Sequence, residues 1–355
     1  MRLKHGVTGL LRIKNDGAFV ERCIESCIGA LDQLVVVYND CTDHSVAEIR
    51  KMKGRYPDKI DVFEYKPKVY GANLSREEYE MAMRLPKDSP HLLCNYYNFA
   101  LSKAKFEYAL KIDADQIYFY AELKKWCDFC RYLPKVSFSF CVLMGFLFQK
   151  YLSFYRWASL KLGLLLPIMP KWLVAASYPA YIKYAKYLFV RDKACLSMSG
   201  LNVMEEGERL VPLGCVAKEM NVMPPFNGEG DHVIFKVSEA TRYEKFQMPY
   251  YNTARSVSYS LIEEFKHPYR IMFLGFFWTH ITLMRPETLA KAQLIKQQSP
   301  KTFVSLEKFL ELDFGSVLSM TDKRLFRLYQ RILFSFVYTA NKAQLRKAVY
   351  DSRQA

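Results

Sequence analysis

Neither G-x-G-x-x-G nor G-x-x-x-x-G-K-[S/T] occurs in the 355 residues, which excludes a Rossmann dinucleotide site and a P-loop as the source of the chain's chemistry. Long apolar runs are also missing. No stretch gives about 18 uninterrupted apolar residues, so a membrane-spanning helix is not expected, although the segment from Phe138 to Val190 comes near. The N-terminal run MRLKHGVTGLLRIKND is interrupted by Arg12 and Lys14 before it reaches the length of a signal-peptide core, and reads as a first strand. Cysteine is present but unorganised: the nine are an odd number, scattered through a chain too large to need disulfide staples, and a reducing compartment fits them best. Acidic residues are scarce, with 36 Asp and Glu against 51 Lys and Arg and a formal charge of +15. The expected partner is therefore negatively charged: nucleic acid, anionic lipid or a phosphorylated substrate. Hydrophobic residues at 51% and aromatics at 15% rule out a mainly disordered or low-complexity chain. At roughly 150 residues per domain the length allows one large domain or about two smaller ones.

The first 120 residues alternate between two periods. Val7 to Ile13 reads as a strand, and Asn15-Asp16-Gly17 supplies a turn and an N-cap for a helix with Val20, Ile24, Cys27, Ile28 and Leu31 on one face. Leu34 to Tyr38 is a short apolar strand of the kind buried in a parallel sheet. A helix through Val46 to Met52, a strand near Ile60 to Tyr65, a helix around Leu92 to Ala104 and a strand from Tyr108 to Ile112 follow. This β-α-β-α order marks an open α/β sheet, whose ligands bind at the carboxyl ends of the strands. Cys127-x-x-Cys130 falls in a helical stretch with no second pair, and Cys23 and Cys27 share the buried face of the first helix; packing explains all four.

From Phe129 to Arg191 there is no Asp or Glu, while nine basic residues occur among dense aromatics. Gln149, Ser153 and Arg156 make a narrow polar stripe on an otherwise apolar helix from Phe146 to Trp157. Pro167, Pro170 and Pro179 are expected to break the segment into pieces too short to span a bilayer, but suited to its interface, with aromatics at headgroup depth and lysines outward. Single-stranded nucleic acid stacked on these aromatics is the lesser alternative, because Leu162, Leu164 to Leu166, Ile168 and Leu173 are more apolar than stacking requires. Residues 195 to 235 read as mixed strand and loop, and beyond His280 the chain is rich in helix.

The most informative motif is Lys111-Ile112-Asp113-Ala114-Asp115-Gln116. Two carboxylates one residue apart, directly after a buried strand, suit a hard divalent cation whose remaining ligands are a substrate's phosphates; an acidic turn at a strand end is the plain alternative. The run Asn98 to Asp115 (NFALSKAKFEYALKIDAD) resembles the "RN-x-G-x-x-x-A-x-G-E-Y-I-x-x-L-D-A-D" stretch of GT-A fold glycosyltransferases, glycosyltransferase family 2 in particular. Val35 to Asp43 (VVVYNDCTD) is similar to that family's "V-V-D-D-G-S-T-D", and Leu10 to Asp16 takes the place of its "I-P-x-Y-N-E", with Arg12-Ile13-Lys14 where the family has a proline. The resemblance covers about the first third of the chain.

It implies a GT-A-like (Rossmann-like) α/β fold: a nucleotide-sugar half (1–128), a basic aromatic helical segment at a membrane or over the acceptor side (129–192), an acceptor-binding half (193–282) and a helical C-terminal region (283–355). Asn39 or Asp40 would meet the nucleotide base, Asn98 and Asp113 the rest of the donor, and Asp113 and Asp115 a divalent cation, Mn2+ or Mg2+, with His280 as a further ligand. Ser199 to Asn202 looks like the small-residue loop before the acceptor site, and Glu229 and Asp231 occupy the place of the family's "x-E-D" motif. Asp231 would then be the general base and Glu229 the runner-up. The expected partners are a nucleotide-diphosphate sugar, most plausibly a UDP-sugar, and a saccharide or lipid-linked saccharide acceptor of cell-surface polysaccharide or glycolipid synthesis. The expected setting is the anionic inner face of the cell membrane, peripheral and cytoplasmic, with nucleic acid the less expected partner. A non-catalytic basic protein that binds membrane surfaces through a degenerate GT-A fold is the alternative.

Overall fold

Lys4–Ile13 is the first strand, β1, and every residue from Gly6 to Ile13 in it is buried, as a strand covered on both faces requires. α1 (Gly17–Cys27), β2 (Gln33–Tyr38), α2 (Ser45–Arg55) and β3 (Ile60–Glu64) follow. Then come α3 (Arg76–Arg84), α4 (Leu93–Leu101), β4 (Phe106–Asp113), the short β5 (Gln116–Tyr118) and α5 (Tyr120–Tyr132). In this computed structural model the described residues are 3–71, 74–163, 170–213, 216–217, 220–221, 225–227, 232–247, 251–253, 256–320 and 328–351. The chain divides into two units, one of residues 1–132 and 231–269, the other of 133–230 and 270–355.

In the first unit four parallel strands lie in the order β3-β2-β1-β4, and His232–Lys236 pairs antiparallel to β4. The α/β alternation and the strands expected near 7–13, 34–38, 60–65 and 108–112 are all present. Against this sheet packs a hairpin of Arg242–Gln247 and Leu261–Lys266, reached through α4. α3 is an element that hydrophobic periodicity does not reveal, since Ala82 is the buried residue it contributes. Its mark is a capping box: Ser75 accepts from the Glu78 N–H at 3.1 Å, and Glu78 accepts from the Ser75 N–H at 3.2 Å. Cys23, Cys27, Cys127 and Cys130 are all buried thiols, and burial pushes Cys127 and Cys130 upward, away from thiolate chemistry.

In the second unit two long helices, α6 (Phe140–Lys161) and α7 (Lys171–Phe189), precede β6 (Ala194–Asn202), which pairs in parallel with Arg270–His280. Two sequence expectations are corrected here. Pro179 does not end a helix: α7 runs through it for 19 residues. The interior proline forfeits one backbone hydrogen bond, a cost of about 3 kcal/mol. Burial of Val174, Ala180, Tyr181, Tyr184, Ala185, Leu188 and Phe189 offsets it, at roughly 1.5–3 kcal/mol for each large side chain. Helices of 22 and 19 residues reach about 33 and 28 Å, so length is not what limits them. Among the described residues, no helix is long and apolar enough to cross a membrane.

The second correction is Ser199 to Asn202, which is the buried end of β6 and not a loop. Gly200 is small because Trp278 of the neighbouring strand fills the space where a Cβ would stand, 2.2 Å from the indole. The segment at Phe226 and Asn227 is tied to this strand end: Ser199 Oγ donates to the Asn227 carbonyl at 2.6 Å and the Asn227 N–H to the Gly200 carbonyl at 2.8 Å. The C-terminal helix Leu328–Asp351 packs on α6, α7 and Arg270–His280. Phe336 from it meets Phe148, Tyr178 and Tyr181, with ring centroids 4.3, 5.6 and 5.7 Å away.

α6 and α7 cross in backbone contact at Gly145. A Cβ there would fall 2.1 Å from the Ala180 carbonyl oxygen and 2.6 Å from Tyr184 Cβ. Gly145→Leu should therefore force the helices apart and destabilise the second unit by about 1–3 kcal/mol, the usual cost of overpacking. A lowered midpoint of thermal unfolding checks this, and an unchanged midpoint would show that the crossing yields without cost.

Candidate functional site

The chain leaves β1 toward β2 on one side, while β4 flanks β1 on the other. Strand order reverses there, and the carboxyl ends of such neighbours bound the crevice in which open α/β sheets bind ligands. Arg12 and Asp113 stand opposite each other in register at that edge. Their side chains form an ion pair, Arg12 Nη2 to Asp113 Oδ1 at 2.8 Å, with Arg12 also donating to the Leu10 carbonyl at 3.2 Å. Lys111, two residues before Asp113, lies on the same face by strand alternation and pairs with Glu263 of the hairpin at 3.2 Å. Between the two cations lies the ring of Tyr97 from α4, 3.8 Å from the Arg12 guanidinium carbon and 5.4 Å from Lys111 Nζ. Burial works against the charge of Arg12. The field of Tyr97, Asp113, Tyr243 and Glu263 outweighs it and holds the guanidinium charged, above its ordinary pKa.

The loops that follow β1 and β2 are clasped together at the same edge. Asn15 Oδ1 accepts from the Thr42 N–H at 2.7 Å, Asp43 accepts from the Gly17 and Ser45 N–H groups at 2.9 Å each, and Ser45 Oγ accepts from the Asp16 N–H at 2.9 Å. Asp16 stands at the N-cap of α1 as expected, yet its side chain makes no capping bond; Asp43 serves the first N–H of the helix in its place. Asn15 and Asp40 take left-handed backbone conformations, with φ of 56° and 47°. Residues of this type tolerate that region best. Burial raises the pKa of the Asp43 carboxyl, but bonds from Ser45 and Gly17 more than reverse this and leave it below its ordinary value.

Each residue singled out in the sequence has a definite surrounding. Asn39 follows β2 directly and is buried; its Nδ2 donates to the Tyr65 and Pro67 carbonyls at 2.6 and 2.9 Å, and its Oδ1 has no hydrogen-bond partner among the described residues. Asp40 is exposed and pairs with Lys14 at 3.3 Å. Asn98 exchanges two hydrogen bonds of 2.8 Å with the backbone of Tyr243, so its amide anchors the hairpin to α4. Asp113 and Asp115 occupy the tight turn between β4 and β5, with Asp113 one-third exposed and Asp115 buried. His280 belongs to the second unit and ends its strand, with Nδ1 2.7 Å from Oδ1 of Asn202, its register partner on β6. Glu229 and Asp231 lie outside the described residues.

Arg12, Tyr97, Lys111 and Glu263 were not recognised in the sequence as parts of the site. The signal was present: a lone arginine inside the buried run VTGLLRI demands a counter-charge nearby. As for a metal, Asp113 and Asp115 are hard oxygen donors of the kind that holds Mg2+ or Mn2+ when phosphates complete the shell. Among the described residues, no group of three or more His, Cys, Asp or Glu side chains is placed to hold a metal ion by itself. The donor set thus fits a cation shared with a phosphorylated ligand.

Residues 6–154 match the family model described as beta-1,4-N-acetylgalactosaminyltransferase (CgtA). This match supports a glycosyltransferase over the segment that holds the site, the same segment that carries the motif resemblance. No curated protein matches the chain. Among solved structures, the chain is similar to a mannosyltransferase from Pyrobaculum calidifontis in complex with GDP-Man and Mn2+, at 20% identity over 32% of this chain and 29% of that one, TM-score 0.23. It is also similar to TarS of S. aureus, residues 1–349, in complex with UDP, at 18% identity over 35% and 31%, TM-score 0.24. A third likeness is to glucosyl-3-phosphoglycerate synthase from Mycobacterium tuberculosis with Mn2+, UDP-glucose and phosphoglyceric acid, at 16% identity over 32% and 34%, TM-score 0.20. The likeness spans about a third of the length of each of these structures, and at such scores it carries no argument.

Glu263→Ala should strand the buried ammonium of Lys111 and destabilise the first unit by about 3–5 kcal/mol, whereas the double change Lys111→Met with Glu263→Leu should recover most of the loss. Denaturant unfolding of the single and double variants measures both. Asp43→Ala should lower the thermal midpoint at pH 7. Because the folded-state pKa of Asp43 is depressed, its contribution is complete above the unfolded value of about 3.9 and is lost as the pH falls through the folded one. The difference between variant and parent should hold from pH 7 to about 5 and narrow below about 4. A gap independent of pH would remove the carboxylate from the clasp.

Proposed function

We propose that the chain is a glycosyltransferase that moves a sugar from a nucleotide-diphosphate sugar, a UDP-sugar by preference, to a saccharide or lipid-linked saccharide acceptor in cell-surface polysaccharide or glycolipid synthesis. The observation that carries the reading is the Asp113–Asp115 turn, which ends β4 where the strand order reverses and lies within the family-matched residues 6–154. Asn39 fits the base: its buried Oδ1 is an acceptor that a nucleobase N–H would satisfy. Asp40, Asn98 and Asp113 complete the proposed donor side, Asn98 through the hairpin it anchors.

Asp113 and Asp115 would hold a divalent cation, with His280 as the further ligand proposed from the sequence. When bound, that ion would stabilise negative charge on the departing diphosphate. Asp231, or failing it Glu229, would take the proton of an acceptor hydroxyl as its oxygen attacks the anomeric carbon from the side opposite the nucleotide. The anomeric C–O bond breaks, its electron pair leaves with the nucleoside diphosphate, and the anomeric configuration inverts. The protein would work at an anionic membrane surface, peripheral on the cytoplasmic face. Support for this is the acid-free run from Phe129 to Arg191 and the apolar side chains it exposes, among them Phe140, Phe154, Trp157 and Trp172.

A screen of UDP- and GDP-sugars with Mn2+ or Mg2+, followed by anomeric analysis of any product, tests the reading. Metal-dependent turnover with an inverted product is expected. Asp115→Asn should lower turnover by about 100-fold or more without lowering the thermal midpoint by a comparable measure. A product of retained configuration would overturn the role given to Asp231. Absence of turnover and of any donor-induced thermal shift would leave the non-catalytic surface-binding reading in its place.

A further inference from the structure

An apolar groove of about 670 Å³ opens between α6 and α7, within the roughly 300–1,000 Å³ range of ligand pockets. Its walls include Met144, Leu147 and Tyr151 from α6 and Leu173, Ala176 and Ala180 from α7. Cys141, Tyr151 and Ser177 are the polar side chains of the lining, so the groove is shaped for hydrocarbon and offers no charge to a ligand. Large apolar side chains stand in solvent at it and elsewhere on the same two helices: Phe140 of its lining is 75% exposed, Trp172 71% and Trp157 50%. Apolar surface left open on this scale marks an interaction site.

Charge decides which one. Lys150, Arg156, Lys161 and Lys183 are exposed on the same two helices, and no acidic residue lies between Phe129 and Arg191. Of the nine bases in that run, Arg131 pairs with Asp32 and Asp128, and Arg191 is stacked on Tyr187 while donating to the Val136 carbonyl. Lys150 is exposed, with its ammonium over the Phe146 ring, 5.4 Å from its centre. An apolar cleft on two helices that also expose tryptophans and lysines and carry no acids matches the boundary between acyl chains and anionic headgroups.

We propose that the groove between α6 and α7 takes an acyl chain of an anionic phospholipid. The chain lies between Met144, Leu147, Leu173 and Ala176; Trp172 sits at headgroup depth, and Lys150 and Lys183 meet the phosphates. The proposal deepens the membrane-surface part of the function above and rests on it, but not on the chemistry assigned to Asp113, Asp115 or Asp231.

The test uses the full chain with vesicles of phosphatidylglycerol and phosphatidylcholine, or of phosphatidylcholine alone, in which the acyl chains carry bromine. Trp126 and Trp278 are buried, so bromine quenching would report Trp157 and Trp172. The expected result is quenching and cosedimentation with the anionic vesicles, at least about tenfold weaker with the neutral ones. Ala176→Phe, which fills the groove, should reduce binding by about tenfold and remove the quenching. Lys150→Glu with Lys183→Glu should weaken binding at low salt and flatten its salt dependence. Should Ala176→Phe lower the thermal midpoint, Leu147→Glu at an exposed wall position replaces it.

Equal binding and quenching by the groove-filled variant would overturn the proposal, as would parent protein that stays in the supernatant or is quenched equally by neutral vesicles. Metal-dependent donor hydrolysis, measured without vesicles, separates the two readings. Hydrolysis without quenching overturns the groove alone, and quenching without hydrolysis overturns the enzyme alone.

Discussion

The ion pair between Arg12 and Asp113 is the constraint from which the rest of the first unit follows. A guanidinium buried in the central pair of a parallel sheet cannot be left without compensation, because an uncompensated buried charge costs several kcal/mol. Asp113 supplies the counter-charge from the neighbouring strand, the Leu10 carbonyl accepts a hydrogen bond, and Tyr97 covers the cation with its ring face. Tyr97 can do so because α4 is held against the hairpin by Asn98, and the hairpin in turn supplies Glu263 to Lys111. Each element that approaches this sheet face brings a group that one of the two cations requires. Well-packed apolar residues could give similar stability. What the ionic arrangement adds is direction: one oxygen of Asp113 is fixed on Arg12, so the carboxylate cannot rotate at the mouth of the crevice.

The parallel half of the fold was legible because β1, β2 and β4 are buried on both faces and its helices on one, which are the two patterns that hydrophobic periodicity encodes. Where a segment obeys neither pattern, the reading failed for a physical reason. α3 buries Ala82 and little else, so its signal is polar and lies in the Ser75–Glu78 cap. Pro179 looked like a break because a local rule counts the lost hydrogen bond and not the side chains buried around it. Ser199 to Asn202 looked like a loop because small residues have two causes. A turn is one; the approach of Trp278 to Gly200 is the other.

The site shows the same division. Asp113 and Asp115 were visible as a motif, because two carboxylates after an apolar strand are locally conspicuous. Asn98 was visible too, but its geometry gives it a task that no linear motif conveys, since its partner Tyr243 lies 145 residues away. Glu263, 152 residues from Lys111, is out of reach of any local pattern. Pairings of this kind follow from topology, and only Arg12 and Lys111 announced from within their strands that a distant partner had to exist.

Charge and apolar surface are arranged differently in the two units. The buried cations of the first unit are consumed by carboxylates, and Arg131, at its boundary, is consumed by Asp32 and Asp128. α6 and α7 instead keep lysines and aromatics exposed together. A surface kept only for solubility would separate the two, spreading the charges and burying the rings. Their coexistence costs the free protein hydrophobic stabilisation that burial of Phe140, Trp157 and Trp172 would supply, at about 25 cal/mol per Å² of apolar area. Asn39 makes a similar sacrifice on a smaller scale, since its buried Oδ1 has no donor among the described residues and such an acceptor costs about 1–3 kcal/mol. Both costs are borne by the free protein, and on the proposed reading a ligand relieves them, the one by hydrocarbon and the other by an N–H donor. On the proposed reading these are the two chemistries a membrane-bound nucleotide-sugar transferase must recognise, and each unit carries one of them.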